Sequence, residues 1–176
     1  MNIVNFFFDS CIVFKNNNFK DKRGSFSEVY NQKRFNKILN SNFDCKQINF
    51  ICSKENSLRG LHYQKKPSSQ KKILRVIEGK IFDVIVDIRK NSKTYGKYKS
   101  IILSEVNKKN IFIPEGFAHG YLTLSKKAKV EYLCSKFYDK KLEVSINWND
   151  PKINIQWPKK KKYLISKKDL LGRNLG

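Results

Sequence analysis

Residues 71–89, K-K-I-L-R-V-I-E-G-K-I-F-D-V-I-V-D-I-R, restrict the fold of this chain more than any other stretch. Two runs rich in β-branched and aromatic residues are separated by Glu78-Gly79, the pattern of two strands joined in a β-hairpin. In the second run Phe82, Val84, Val86 and Ile88 form an apolar face, and Asp83 and Asp87 point the other way. In the first, Lys72, Leu74 and Val76 share a face, so a lysine heads an apolar stripe. Spacing alone favours a lysine that snorkels to solvent at the strand end over one aimed into a cavity.

Similar short runs recur along the chain. Residues 47–52, 99–104, 110–113, 121–125 and 128–135 read as strands, with Pro114 and Gly116 marking one of the turns between them. Residues 3–14 read as two strands turning at Asp9-Ser10; they lack the basic flank and cleavage site of a signal peptide and are too short to span a bilayer. After Gly24, Phe26 with Val29 begins another strand, residues 31–39 could form one short helix, and Ser166 caps a helical turn. The 13 Phe, 8 Tyr and 2 Trp favour strands, and 176 residues make about one domain, 1–176. The expectation is a mostly-β domain, a barrel or double-sheet jelly roll with a few short helices.

The formal net charge of +22 invites a nucleic-acid reading. Only six of the 37 basic residues are arginine, however, and the lysines are scattered rather than gathered on one element. That distribution favours a solvated surface over a polynucleotide footprint, and it suits a small anionic ligand such as a nucleotide diphosphate equally well. Cys11, Cys45, Cys52 and Cys134 form no C-x-x-C pair and have no histidine nearby, which is the usage of reduced thiols in a cytoplasmic protein. The two histidines, His62 and His119, are far apart; Gly60 and Gln64 flank His62 where an H-x-H metal pair would need a second imidazole. The residues therefore argue against a bound catalytic metal, and the expected chemistry belongs to side chains alone.

Polar residues in apolar runs mark a site. His62 sits in S-L-R-G-L-H-Y-Q, three residues after Arg59. Gln47, Asn49 and Ile51 share one strand face, and uncharged amides on an inner face need a partner to bond. Strict alternation puts Arg59 and His62 on opposite faces, so both can meet one ligand only if the strand bulges at Gly60 or ends there.

The strings L-R-G-L-H-Y-Q, Q-K-K-I-L-R-V, G-K-I-F-D-V-I-V-D-I-R, S-K-T-Y-G, I-P-E-G-F-A-H-G, W-N-D-P, W-P and L-I-S-K-K-D occur in that order. Together with D-K-R-G-S-F at residue 21, they resemble the dTDP-4-dehydrorhamnose 3,5-epimerase family as far as Asp169. The resemblance implies a cupin-type double-stranded β-helix, a cytoplasmic homodimer, no metal or cofactor, and a nucleotide sugar in the barrel. No nucleic acid or membrane partner is implied. The implied reaction is proton abstraction at C3 and C5, α to the 4-ketone of a 6-deoxyhexose, in the supply of dTDP-rhamnose for cell-surface polysaccharide such as lipopolysaccharide O-antigen. It makes His62 the general base, Asp169 its partner, Lys72 the group that stabilises the enolate, and Tyr132 the acid on the far face. Arg23, Arg59 and Lys168 match residues that handle the nucleotide sugar. Phe26, Glu28, Gln47, Asn49 and Glu143 match further contacts, and Tyr138 an aromatic that stacks on thymine. His119 matches a second histidine near the sugar, with Asp83 as its support. The family's Q-x-N-H-S-x-S stretch stands here as Q-I-N-F-I-C-S, with Phe50 and Ile51 at the changed positions. A relative that inverts one carbon only, or a non-catalytic sugar-nucleotide-binding cupin, is the alternative.

Overall fold

The computed structural model describes residues 1–176. Its first half runs β1 (Asn2–Phe7), β2 (Cys11–Lys15), β3 (Phe19–Asp21), β4 (Gly24–Phe26), α1 (Gln32–Leu39), β5 (Gln47–Lys54), β6 (Ser57–Gln64), β7 (Lys72–Glu78) and β8 (Lys80–Asp87). Then follow β9 (Tyr98–Ser104), β10 (Lys109–Ile113), β11 (Phe117–Thr123), β12 (Lys127–Cys134), β13 (Glu143–Ser145), β14 (Leu164–Ile165) and α2 (Lys167–Leu170). One sheet has the order β1-β2-β10-β7-β12-β5; the other has the order β13-β6-β11-β8-β9, with β14 also paired to β6. This is the double-sheet jelly roll expected of so many short strands, of the cupin type that the family resemblance implies.

The expected hairpin at residues 71–89 is not formed. Strand β7 pairs with β10 and β12 in one sheet, whereas β8 pairs with β11 and β9 in the other. Gly79, at φ +82°, carries the chain between the sheets, where a Cβ would clash with the Lys127 carbonyl oxygen. The reason lies in β8, which is apolar on both faces. Ile81 and Ile85 join Leu74, Val76, Ile111 and Val130 in the core between the sheets. Val84 and Val86 face outward and are covered by Ile146, Ile153, Ile155 and Trp157 from the C-terminal segment. A hairpin with water on one side could not bury both faces of β8, whereas a sheet covered on both sides can.

The other sheet is covered in turn by α1. Phe35, Leu39 and Phe43 pack on Ile12, Phe14, Ile73, Phe112 and Leu133, and the helix starts at Asn31, whose side chain accepts from the Arg34 N–H. The N-terminal strand pair and both helices stand where the sequence pattern puts them. Strand β4, by contrast, ends at Phe26 rather than running on to Val29, and β11 starts at Phe117, four residues before the expected Tyr121. The β3–β4 ribbon pairs only with itself and has no sheet to extend it.

Asp87 anchors the loop that returns the chain from β8 to β9. Its buried carboxylate accepts from the Arg89 backbone N–H, Arg89 Nε and Nη2, and the Ser92 and Thr94 hydroxyls. Burial pushes this carboxyl up, but those donors outweigh it and hold the group far below the usual carboxylate range. A depressed native pKa means that the unfolded chain binds the proton more tightly. The stabilisation is therefore present above the unfolded value of about 4 and fades as pH falls below it. Asp87→Ala should cost about 2–3 kcal/mol in urea unfolding at pH 7, and the gap from the unmodified protein should narrow below pH ~4.

Candidate functional site

Between the sheets the barrel keeps an open cavity of about 280 Å³, lined by His62, Lys72, Tyr132 and Asp169 among others. His62 is on β6, and Asp169 is brought to it by α2, whose first turn is capped by Ser166. His62 Nε2 and Asp169 Oδ1 are 2.6 Å apart, and Asp169 Oδ2 accepts the Gly60 N–H at 3.3 Å. Asp169 is only 3% exposed. Burial pushes its carboxyl up, but the hydrogen bond to His62 and the imidazole's charge lead the opposing effects and keep it ionised below the usual range. A carboxylate only accepts, so Nε2 carries a hydrogen in either form of the ring, and loss of the other proton leaves the lone pair on Nδ1.

Lys72 lies on the inner face of the central strand β7, between Ile113 and Cys134 on the neighbouring strands. It does not snorkel to solvent. Its ammonium faces the cavity 6.0 Å from the Tyr132 ring centroid, and burial lowers its pKa from the ordinary lysine range. A lysine at the end of an edge strand could escape to water, but one flanked by strands on both sides cannot. Tyr132 shares this interior on β12, and burial pushes its hydroxyl up to about 12, so it holds its proton at neutral pH. His119 on β11 is the register partner of His62 and also lines the cavity. Its Nε2 is 2.7 Å from Asp83 Oδ1, while the buried Asp83 Oδ2 has no partner.

The conflict between Arg59 and His62 is resolved by a β-bulge. His62 pairs with His119 and Arg59 with Tyr121, so Gly60 and Leu61 together stand opposite the single residue Gly120. The extra residue turns Arg59 onto the cavity side with His62. Gly60 adopts φ +105°, and a Cβ there would meet the His119 carbonyl oxygen at 2.6 Å and Gly120 Cα at 2.7 Å.

Three polar groups form the mouth. Lys168 Nζ is 2.8 Å from Glu143 Oε1, and the Tyr138 hydroxyl donates to Glu143 Oε2 at 2.8 Å. Burial raises the Glu143 carboxyl, but those two hydrogen bonds and the nearby cations lower it on balance. Gln47 and Asn49 stand on the inner face of β5 as the alternation requires. Gln47 Nε2 donates to Asn49 Oδ1, and Gln47 Oε1 accepts the Tyr138 N–H, both at 2.8 Å. Next in that stripe, Ile51 reaches the cavity wall.

The family profile described as dTDP-4-dehydrorhamnose 3,5-epimerase matches residues 7–175. The chain belongs to that family. It is 42% identical over 173 residues to the dTDP-4-dehydrorhamnose 3,5-epimerase of Shigella flexneri, covering 98% of this chain and 95% of that one. The crystal structure of the dTDP-6-deoxy-D-glucose-3,5-epimerase of Legionella pneumophila, in complex with dTDP-4-keto-L-rhamnose, superposes with a TM-score of 0.95. It is 38% identical and covers 99% of this chain and 92% of its own. A 3′-monoepimerase from Streptomyces bikiniensis, in complex with dTDP-quinovose, shares the fold with a TM-score of 0.90 at 27% identity, over 99% of this chain and 87% of its own.

Of the family-matched residues, Gln47, Asn49 and Asp83 are not among the side chains that line the cavity, and within one chain Arg23, Phe26 and Glu28 lie away from it altogether. Arg23 pairs with Asp21 at 2.7 Å in the β3–β4 ribbon, Phe26 is 67% exposed, and Glu28 pairs with Arg34 at 2.9 Å. The ribbon is held by no sheet and has nothing to fold it over its own barrel. Conversely, Tyr121, Leu74 and Ser166 line the cavity and Ser53 stands behind it, although none was singled out from the sequence. Ser53 continues the Gln47-Asn49-Ile51 alternation and Tyr121 follows His119 by two, so the period-two signal for both was present. The bulge makes a sharp demand at Gly60. Gly60→Ala should lower kcat/KM by about 100-fold, because any relief of the clash shifts Arg59 and His62 together, and a thermal melt should report a destabilised fold.

Proposed function

We propose that this chain inverts C3 and C5 of dTDP-4-dehydro-6-deoxy-D-glucose to give dTDP-4-dehydro-L-rhamnose, without a cofactor. The observation that carries the reading is the convergence of the His62–Asp169 pair, Lys72 and Tyr132 on one cavity. In this mechanism His62 Nδ1 takes the proton from the carbon α to the 4-ketone. The C–H electron pair forms the enolate double bond, and the carbonyl electrons pass to O4. Asp169 stabilises the imidazolium, and Lys72 stabilises O4⁻. Burial has left the Lys72 ammonium without a carboxylate partner, so the developing oxyanion is the charge it best accommodates. Tyr132 then donates its proton to the opposite face of the carbon, and the imidazolium returns the abstracted proton to solvent or to the phenolate. A second pass at the other α carbon completes the inversion.

Arg59 and Lys168 are assigned to the diphosphate, and Tyr138 to stacking on the thymine. Gln47, Asn49, Glu143 and His119 are assigned to polar contacts, with Asp83 fixing His119. Arg23, Phe26 and Glu28 lie in or beside a ribbon that one chain leaves exposed, which favours a homodimer in which each copy completes the other's site. A cytoplasmic location agrees with the absence of any helix long and apolar enough to cross a membrane and with the four free cysteines. Inversion of a single carbon is the second reading, favoured by Ile51 on the cavity wall, where the family motif has a serine, and by the fold shared with a 3′-monoepimerase.

Solvent exchange separates these readings. Turnover in D2O should place deuterium at both C3 and C5, and His62→Ala should slow it by roughly 10²–10⁴-fold. Label at one carbon would mean a monoepimerase, and tight dTDP binding without any label would mean a binding protein only. Lys72→Met keeps the length and apolar stem but removes the charge; kcat should fall by about 10²–10³-fold with KM changing far less.

A further inference from the structure

Ser53, only 4% exposed on the inner face of β5, stands between two side chains from the opposite sheet. Arg59 Nε donates to Ser53 Oγ at 3.1 Å, and Ser53 Oγ shares a second 3.1 Å hydrogen bond with the Tyr121 hydroxyl. Arg59 and Tyr121 are themselves register partners across β6 and β11. An arginine can only donate, so Ser53 uses one lone pair on Nε, and its other lone pair or its proton serves Tyr121. Burial raises the Tyr121 hydroxyl, which therefore remains protonated and able to donate. The guanidinium is held by its Nε edge, with no carboxylate engaging the rest of it, and it lines the cavity.

We propose that Ser53 and Tyr121 are positioning residues that clamp Arg59, so that its two terminal nitrogens form a ready-made fork for the diphosphate of the nucleotide sugar. This rests on the reading of the ligand given above. A free arginine side chain carries about 2 kcal/mol of rotamer entropy, and fixing it before the ligand arrives removes part of that cost from binding. Holding Nε leaves the end-on edge, whose two parallel N–H groups match two phosphate oxygens. The clamp also accounts for a hydroxyl at Ser53 when its stripe neighbour is Ile51. Isoleucine offers the ligand no hydrogen bond, whereas Ser53 acts at one remove, through Arg59.

The test is calorimetric titration with dTDP and with thymidine, which lacks the diphosphate. Ser53→Ala should weaken dTDP binding about tenfold and leave thymidine binding unchanged, and Ser53→Thr, which restores the hydroxyl, should recover most of the loss. In an Arg59→Ala background the Ser53→Ala substitution should have no further effect on dTDP. Tyr121→Phe provides the same comparison if Ser53→Ala does not fold. In turnover, Ser53→Ala should raise KM about tenfold with kcat within twofold. Equal weakening for both ligands, the same loss without Arg59, or no loss at all would overturn the clamp. An unmodified protein that binds dTDP no better than thymidine would overturn it too. Failure of the unmodified protein to epimerise would overturn the reaction instead, and the dTDP titrations would still decide the clamp.

Discussion

The 2.6 Å hydrogen bond between His62 and Asp169 joins residues 107 positions apart and sets the shape of one end of the barrel. For that bond to form, the C-terminal segment has to cross the outside of the β6 sheet, where Trp157, Ile155 and Ile153 bury themselves on Val84 and Val86. It then pairs as β14 alongside β6 and turns into α2 at the Ser166 cap. Each step is ordinary hydrophobic burial or capping, and its product is a carboxylate sealed behind an imidazole. Burial alone raises the Asp169 carboxyl. The imidazole keeps it charged, and the charge fixes which ring nitrogen is free to act as a base.

The same strand solves a geometric problem. A flat β6 would point Arg59 away from the cavity that His62 lines. One extra residue at Gly60-Leu61, opposite Gly120, turns both side chains inward. Backbone packing leaves no room for a Cβ at either glycine: at Gly120 it would lie 2.6 Å from the Arg59 carbonyl oxygen. The two histidines then meet across the pair as register partners, each with its own buried aspartate.

Local patterns carried the strands, the short helix at α1 and the inner stripe of β5 because each depends on alternation or a cap within a few residues. The partnership of β7 and β8 was not legible in this way. Glu78-Gly79 announces a reversal, but whether the chain returns within its sheet or crosses to the facing one depends on what covers the outer face of β8, and those residues lie some 60–75 positions downstream. Spacing alone misread Lys72 for a related reason, which the family resemblance set right: an apolar stripe headed by lysine looks the same on an edge strand and on a central one, and only the pairing distinguishes them. The bulge at Gly60 was recognised as a requirement rather than as a signal. The pairing of Asp169 with His62 followed from family resemblance, since no periodicity links residues 62 and 169.

The large positive charge of the chain has little bearing on this site. Of its cations, the cavity is lined by Arg59, Lys72 and Lys168 alone, and each is held differently. Lys168 is neutralised by Glu143 at the mouth, where both remain within reach of water. Arg59 is tethered through a neutral hydroxyl, which orients the guanidinium without cancelling its charge. Lys72 has neither a carboxylate nor a tether and is the most desolvated of the three. Compensation is therefore least at Lys72, where low dielectric gives an uncompensated charge its greatest effect. In the mechanism proposed above, that is the charge the enolate oxygen meets. The scattered surface lysines, screened within about 8 Å at physiological salt, could not supply it.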